Sequence, residues 1–157
     1  MTSSSPADAV SRFFPPLSRS SFCRHYYPMS GALCHGAYAL VVVNPYVLYR
    51  HLPSCDRAVE TGMLANAMLG LGVYTFYRRH MRPVAPVTRV IYSFFAAKIF
   101  TFGSIMIWAT ARALFLPRSG DFSVARSLFA LLTSGCLLAV ARDYLQYVDT
   151  LVEPVDD

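Results

Sequence analysis

The stretch Arg89–Leu116, RVIYSFFAAKIFTFGSIMIWATARALFL, decides the fold class. From Val90 to Ala111 it is largely apolar and carries a single charge, Lys98, which is also the only lysine of the chain. A helix needs roughly 20 predominantly apolar residues to cross the hydrocarbon core of a bilayer. The stretch therefore predicts a membrane-spanning helix over residues 90–112.

The composition of the whole chain agrees with a membrane protein. Of its 157 residues, 55% are hydrophobic and 15% are charged, whereas soluble domains contain about 25% charged residues. The net charge of +5 comes from arginines at the ends of the apolar runs. No basic helix lies outside these runs, so the composition argues against nucleic-acid binding and favours lipid contact and membrane orientation.

Three further runs resemble the first one. The run Gly31–Tyr49 is the weakest, because its strongly apolar part is short and Asn44-Pro45 interrupts it, which predicts a kink or an early helix end. The last run continues as an amphipathic helix that Pro154 stops. We predict an all-α integral membrane bundle of about four transmembrane helices, with spans at about 31–49, 58–77, 90–112 and 124–144.

The parts outside the bundle have their own character. Residues 1–30 form a polar, basic N-terminal arm, which we expect to be irregular, with one short helix starting at Ser5 and ended by Pro15-Pro16. Residues 31–145 form the bundle, and residues 146–157 form the protruding helix end and an acidic tail. The serines of the arm, its single acid and three arginines are typical of a mitochondrial targeting sequence, and the alternative is a disordered basic tail; the arginines are Arg12, Arg19 and Arg24.

Four spans place both termini and the loop Arg78–Thr88 on one side of the membrane. That side carries eight arginines against five on the other. Because positive residues stay in the cytoplasm or the mitochondrial matrix, the excess predicts that both termini lie there.

The second span carries small residues at intervals of four, a pattern that lets two helices approach closely. This helix-packing face consists of Ala58, Gly62, Asn66 and Gly70. Asn66 also lies at a depth similar to that of Lys98 on the next helix, roughly 16 Å and 12 Å from the terminal side. Lys98 has three interpretations: a transport or catalytic group working with Asn66, a lysine that snorkels to the interface, or a partner of an acid on another subunit or lipid.

Two more sets of charges have predicted roles. Glu60 and Arg112 lie at matching ends of consecutive spans, so a structural ion pair is expected between them. Four clustered arginines of the proline-stiffened loop are predicted to bind acidic lipid headgroups, cardiolipin in a mitochondrial membrane, or else to act only as an orientation signal; they are Arg78, Arg79, Arg82 and Arg89.

No motif points to an enzyme or to a metal site. The four cysteines have no zinc-ligand spacing and are interpreted as free thiols; they are Cys23, Cys34, Cys55 and Cys136. His35 is the only histidine within a predicted span, whereas a haem held by two histidines needs two. We therefore expect no cofactor other than bound phospholipid.

These features predict a structural accessory subunit of a multisubunit membrane complex, stabilised by helix packing and lipid contacts, with other membrane subunits as its partners. The basic arm and arginine-rich loop favour a respiratory or ATP synthase complex of the mitochondrial inner membrane. The alternative is a small ion or metabolite carrier that uses Lys98 and Asn66 at membrane depth.

Overall fold

The computed structural model describes residues 15–45, 56–114 and 123–152, and over these ranges the chain consists of helices and turns only. It contains four long helices: α1 (Tyr27–Val43), α2 (Asp56–Phe76), α3 (Pro86–Leu114) and α4 (Ser123–Thr150). The predicted all-helical class is therefore confirmed.

Among the described residues, two helices are long and apolar enough to cross a membrane, namely α3 and the segment Val124–Thr150 of α4. Only 22% of the apolar window of α3 and 11% of that of α4 is buried inside the protein. These helices therefore differ from the core helices of soluble proteins, which are mostly buried. The four-span arrangement goes beyond this result, since α1 and α2 do not meet the same criterion.

The helix ends follow local chemistry. Asn44-Pro45 ends α1 early, as expected, and the Asn44 N–H donates to the carbonyl of Leu40 at 2.7 Å. The predicted extension of the last helix is also present, because α4 runs unbroken for 28 residues. At a rise of 1.5 Å per residue it is about 42 Å long, which exceeds the roughly 30 Å hydrocarbon core.

The N-terminal arm is more ordered than we expected. A short helical turn at Arg19–Ser21 and a π-helical turn at Phe22–Tyr26 lead directly into α1. The side chain of Ser18 accepts from the Ser21 N–H at 3.1 Å and forms a capping box. The expectation of an irregular arm up to residue 30 is therefore wrong from Arg19 onward, because this serine cap starts a helix soon after Pro15-Pro16. The helix expected from Ser5 lies outside the described residues.

The helix α1 lies at the centre of the bundle. It packs extensively against α2 and α4 and also touches α3, whereas α3 and α4 meet only sparsely. The start of α1 and the ends of α2 and α4 lie together at one end of the bundle, where the Arg24 guanidinium sits 5.3 Å from the Tyr77 ring centre. Consecutive helices therefore run up and down, with the described ends of the chain at the same end.

The closest helix contact joins α1 to α2 at two glycines. A Cβ atom added to Gly70 would lie 2.6 Å from the Cα of Gly31, so neither position has room for a side chain. The other half of the predicted packing face is different: Ala58 and Gly62 are exposed, and a Cβ on Gly62 would meet no atom within 4 Å. Among the described residues, only the part of that face at Asn66 and Gly70 packs against another helix, because α1 and α2 are closest there.

The helix α3 turns mainly small and polar residues inward, together with Trp108, and its other large apolar residues outward. Six residues spaced three or four apart face inward: Ser93, Ala97, Thr101, Ser104, Trp108 and Ala111. The outward face exposes bulky apolar side chains, among them Ile91, Phe94, Phe95, Ile99, Phe102 and Met106. This distribution is the one expected of a helix that turns its large side chains to lipid or to another protein.

The glycine contact predicts a clear difference between two leucine substitutions on α2. Gly70→Leu forces the backbones of α1 and α2 apart and should lower the free energy of unfolding by about 1–3 kcal/mol or more. Gly62→Leu is the matched control and should not lower it, since leucine has room there and is favoured over glycine in a helix by up to about 1 kcal/mol. Unfolding in mixed detergent micelles, followed by circular dichroism, measures both, and equal effects would contradict the contact.

Candidate functional site

A buried hydrogen bond connects α1 to α4 at the centre of the bundle. The Nδ1 atom of His35 lies 2.7 Å from the hydroxyl oxygen of Ser134, and both side chains are buried. The imidazole can donate or accept here, since either ring nitrogen can carry the proton. The bond fixes the relative height and rotation of two helices that are 99 residues apart in sequence.

Two aromatic side chains of α3 enclose this histidine. The Trp108 ring centre lies 4.8 Å from that of His35 in an edge-on arrangement, and Phe100 lies at 5.4 Å. Trp108 is completely buried. Its Nε1 and the Nε2 of His35 have no hydrogen-bond partner among the described residues, so the edge-on rings contribute packing in place of hydrogen bonds.

A second polar contact lies where α1 ends. The amide nitrogen of the Asn44 side chain donates to the hydroxyl of Ser127 on α4 at 3.3 Å. Arg112 of α3 donates to the carbonyl of Val42 at 2.9 Å. Carbonyls at a helix C-terminus lack partners within the helix. Arg112 of α3 and Ser127 of α4 therefore hold the C-terminal end of α1, where Asn44-Pro45 stops the helix.

A cavity of about 540 Å³ lies between α1, α2 and α4. His35 and Phe100 line it at the middle of the bundle, while Arg78, Arg142 and Gln146 line it at the end where α2 and α4 finish. Its volume is within the range of small-molecule binding sites in proteins. The space exists because small residues of α1 and α2 border it, among them Gly31, Ala32, Ala67 and Gly70.

An acidic residue closes the same end of the bundle. The carboxylate of Asp149, near the end of α4, lies 3.0 Å from the Nε of Arg78 and accepts from the backbone and ring nitrogens of His80 at 3.1 and 2.6 Å. Burial alone would raise the pKa of Asp149, but the hydrogen bonds from His80 and the charge of Arg78 outweigh burial and lower that pKa. This cluster joins the loop between α2 and α3 to α4.

The structure separates Asn66 from Lys98. The Asn66 side-chain amide points to α1, where it donates to the sulfur of Cys34 at 3.1 Å and the hydroxyl of Ser30 at 3.4 Å. Lys98 is exposed on the outer face of α3, with its Nζ 5.6 Å from the ring centre of Phe94. The hypothesis of one intramembrane site with both residues is wrong, because α3 turns the lysine away from α2.

The expected Glu60–Arg112 ion pair is not present among the described residues. Arg112 donates instead to the α1 carbonyl described above, and Glu60 lies near enough to Tyr38 of α1 to affect it electrostatically. Both residues turn to α1, a direction that matching depth on consecutive helices does not reveal.

The four loop arginines divide into two pairs. Arg78 is engaged with Asp149 and with the hydroxyl of Tyr74, and Arg89 donates to the carbonyl of Phe76 and stacks on that ring. The other two, Arg79 and Arg82, are exposed. Only this second pair points freely to the surroundings, so the lipid-binding interpretation applies most directly to Arg79 and Arg82.

The cysteine interpretation holds wherever it can be checked. Cys23, Cys34 and Cys136 are free thiols, and Cys55 lies outside the described residues. In the described ranges, no group of three or more metal-ligating side chains comes together.

The chain matches no protein-family model, no curated protein and no solved structure. The fold and the site therefore define its class on their own. Over the described ranges it is all-helical, with two helices apolar enough to cross a membrane, a central helix held by buried polar contacts, and a cavity that is arginine-lined at one end.

The acidic cluster predicts a pH-dependent stability. Asp149→Asn should lower the free energy of unfolding near pH 7 by about 1.5–3 kcal/mol, the usual contribution of hydrogen bonds to a charged group. A lowered folded-state pKa stabilises the fold above the ordinary value of 3.8, and this contribution is lost as the pH falls through the lowered value. The difference between wild type and Asp149→Asn should therefore shrink below about pH 4.

Asp143→Asn is the matched control, since Asp143 is exposed on the same helix. It should change stability by less than about 0.5 kcal/mol. Thermal unfolding in detergent between pH 3 and pH 8 measures all three proteins. A difference that stays constant down to pH 3 would show that the Asp149 carboxylate does not contribute as a charged group.

Proposed function

We propose that this protein is a structural accessory subunit of a multisubunit membrane complex, in which α3 and α4 lie against lipid and neighbouring subunits. The observation that carries the proposal is the outer face of α3. It exposes a row of large apolar side chains and, among them, the charged Lys98. Lys98 forms no ion pair with any acid of the described residues.

Lipid alone is a poor environment for this face, because the charge of Lys98 must be neutralised there. Lys98 lies 12 residues after the start of α3, so about 18 Å along the helix axis. A charge at membrane depth is costly unless it pairs with an opposite charge or reaches the interface. A carboxylate on a neighbouring subunit would neutralise it, while the surrounding phenylalanines would pack against that subunit. This favours a partner protein over a surface that meets lipid alone.

The compartment is part of the same proposal. The basic, serine-rich arm and the arginine-rich loop favour the mitochondrial inner membrane, with both termini in the matrix and a respiratory or ATP synthase complex as the assembly. The up-and-down order of the helices is consistent with both termini lying on one side. Cardiolipin at the exposed Arg79 and Arg82 would be the bound lipid.

Mild-detergent purification followed by mass spectrometry tests the proposal. The tagged protein should co-purify with a defined set of other membrane subunits, and Lys98→Leu should reduce their yield several-fold. Ile99→Leu changes the neighbouring exposed position without removing a charge and should leave the yield unchanged. A protein that purifies alone, or only with copies of itself, would overturn the accessory-subunit role.

A further inference from the structure

The cavity between α1, α2 and α4 has two ends of different chemistry. In its middle it is bordered by apolar side chains, including Leu71 and Leu138. At the end of the bundle it is bordered by Arg78, Arg142 and other polar groups. A ligand that fills it must therefore be apolar along its body and polar at one tip.

The charges at the open end favour an anion. Arg142 is exposed and forms no ion pair among the described residues, while Arg78 is neutralised in part by Asp149. Asp149 itself is held by two hydrogen bonds from His80. The positive charge of the two guanidinium groups thus exceeds the negative charge of the single carboxylate. Guanidinium groups bind phosphate with parallel hydrogen bonds.

The length of the cavity fits a hydrocarbon chain better than a compact solute. Residues that line it on the α1 side extend from His25 to His35, which corresponds to about 15 Å of helix. The inner end is closed by His35 and Phe100. A long, narrow apolar space beneath cationic groups, in a protein with membrane-length helices, matches one acyl chain beneath an acidic headgroup.

We propose that this cavity is a binding site for an anionic phospholipid, with one acyl chain between α1, α2 and α4 and the phosphate at Arg142 and Arg78. The site is distinct from the exposed loop arginines. It rests on the proposed membrane location of the chain but not on its role as a subunit. The lipid would fill space that the small residues of α1 and α2 leave open and would thereby brace α4 against α2.

The chain contains its own reporter for this site. Trp108 is the only tryptophan, is fully buried, and stacks edge-on against His35, which closes the inner end of the cavity. An acyl chain that carries bromine near its end and occupies the cavity should quench the tryptophan fluorescence.

The experiment reconstitutes the full chain into phosphatidylcholine vesicles and titrates brominated phosphatidylglycerol or brominated phosphatidylcholine. Flotation of the protein with the vesicles is checked first, so that failure of the membrane location is seen separately and overturns both proposals. The tryptophan fluorescence of the wild type should be quenched at several-fold lower mole fractions of brominated phosphatidylglycerol than of brominated phosphatidylcholine. Equal quenching by the two lipids would overturn headgroup recognition at the arginines.

Two pairs of variants locate the binding. Ala141→Phe narrows the cavity and should abolish the excess quenching, while Ala139→Phe adds the same ring on the exposed side of α4. Arg142→Gln should weaken the preference for the anionic lipid about fivefold, the factor expected for one cation near an anionic surface. Arg19→Gln removes an exposed charge outside the cavity and should have little effect.

The two variants and their controls have two informative outcomes. Loss of the preference in Ala141→Phe and Arg142→Gln, but not in their controls, supports the site. Unchanged quenching in both Ala141→Phe and Arg142→Gln would overturn the proposed site. Circular dichroism verifies that each variant folds, and Arg142→Gln, at an exposed position, provides the decisive comparison if Ala141→Phe does not fold.

Discussion

The hydrogen bond between His35 and Ser134 is the contact on which the arrangement of the helices depends. Packing at Gly31 and Gly70 fixes α1 against α2, but α4 meets α3 only sparsely and packs mainly against α1, with the Asp149 cluster holding one end. A polar contact that is buried among apolar side chains is specific, since any other register would leave one of its partners unsatisfied. The His35–Ser134 bond therefore selects one register of α4 among many apolar ones.

The central position of α1 also explains why most of the buried side chains are small or polar. The hydrophobic effect does not drive helices together within lipid, so close backbone approach and hydrogen bonds do. Some interior hydroxyls bond to their own helix, as when Ser104 donates to the carbonyl of Phe100 at 2.9 Å and Thr133 to that of Phe129 at 2.7 Å. Those of Ser93 and Thr101 have no hydrogen-bond partner among the described residues. The large apolar residues are left for the outer surface, where α3 and α4 present them.

Part of this arrangement was predictable from the sequence. The apolar runs predicted the four long helices, Asn44-Pro45 predicted the end of α1, and the spacing of four on α2 predicted a close approach at Gly70. Run length, however, ranked Gly31–Tyr49 as the weakest element, whereas α1 is the centre of the bundle. Hydropathy measures how well a helix is suited to contact lipid. A helix that is surrounded by other helices does not need this property.

The candidate site was less predictable for a related reason. Depth along consecutive helices paired Lys98 with Asn66 and Glu60 with Arg112, but depth says nothing about rotation around a helix axis. The rotation of α3 shows in the spacing of its small residues, which lie on the buried face with Ser104, whereas Lys98 lies off that face. The same criterion on α1 would have singled out His35, four residues after Gly31, as an inward-facing partner.

A double-mutant cycle on His35 and Ser134 tests the central contact most directly. His35→Phe, Ser134→Ala and the double variant would be unfolded in mixed micelles and compared with wild type. The account predicts a coupling energy of about 0.5–2 kcal/mol, with the double variant less destabilised than the sum of the two single variants. Strictly additive effects would show that the two side chains do not interact and that another contact places α4.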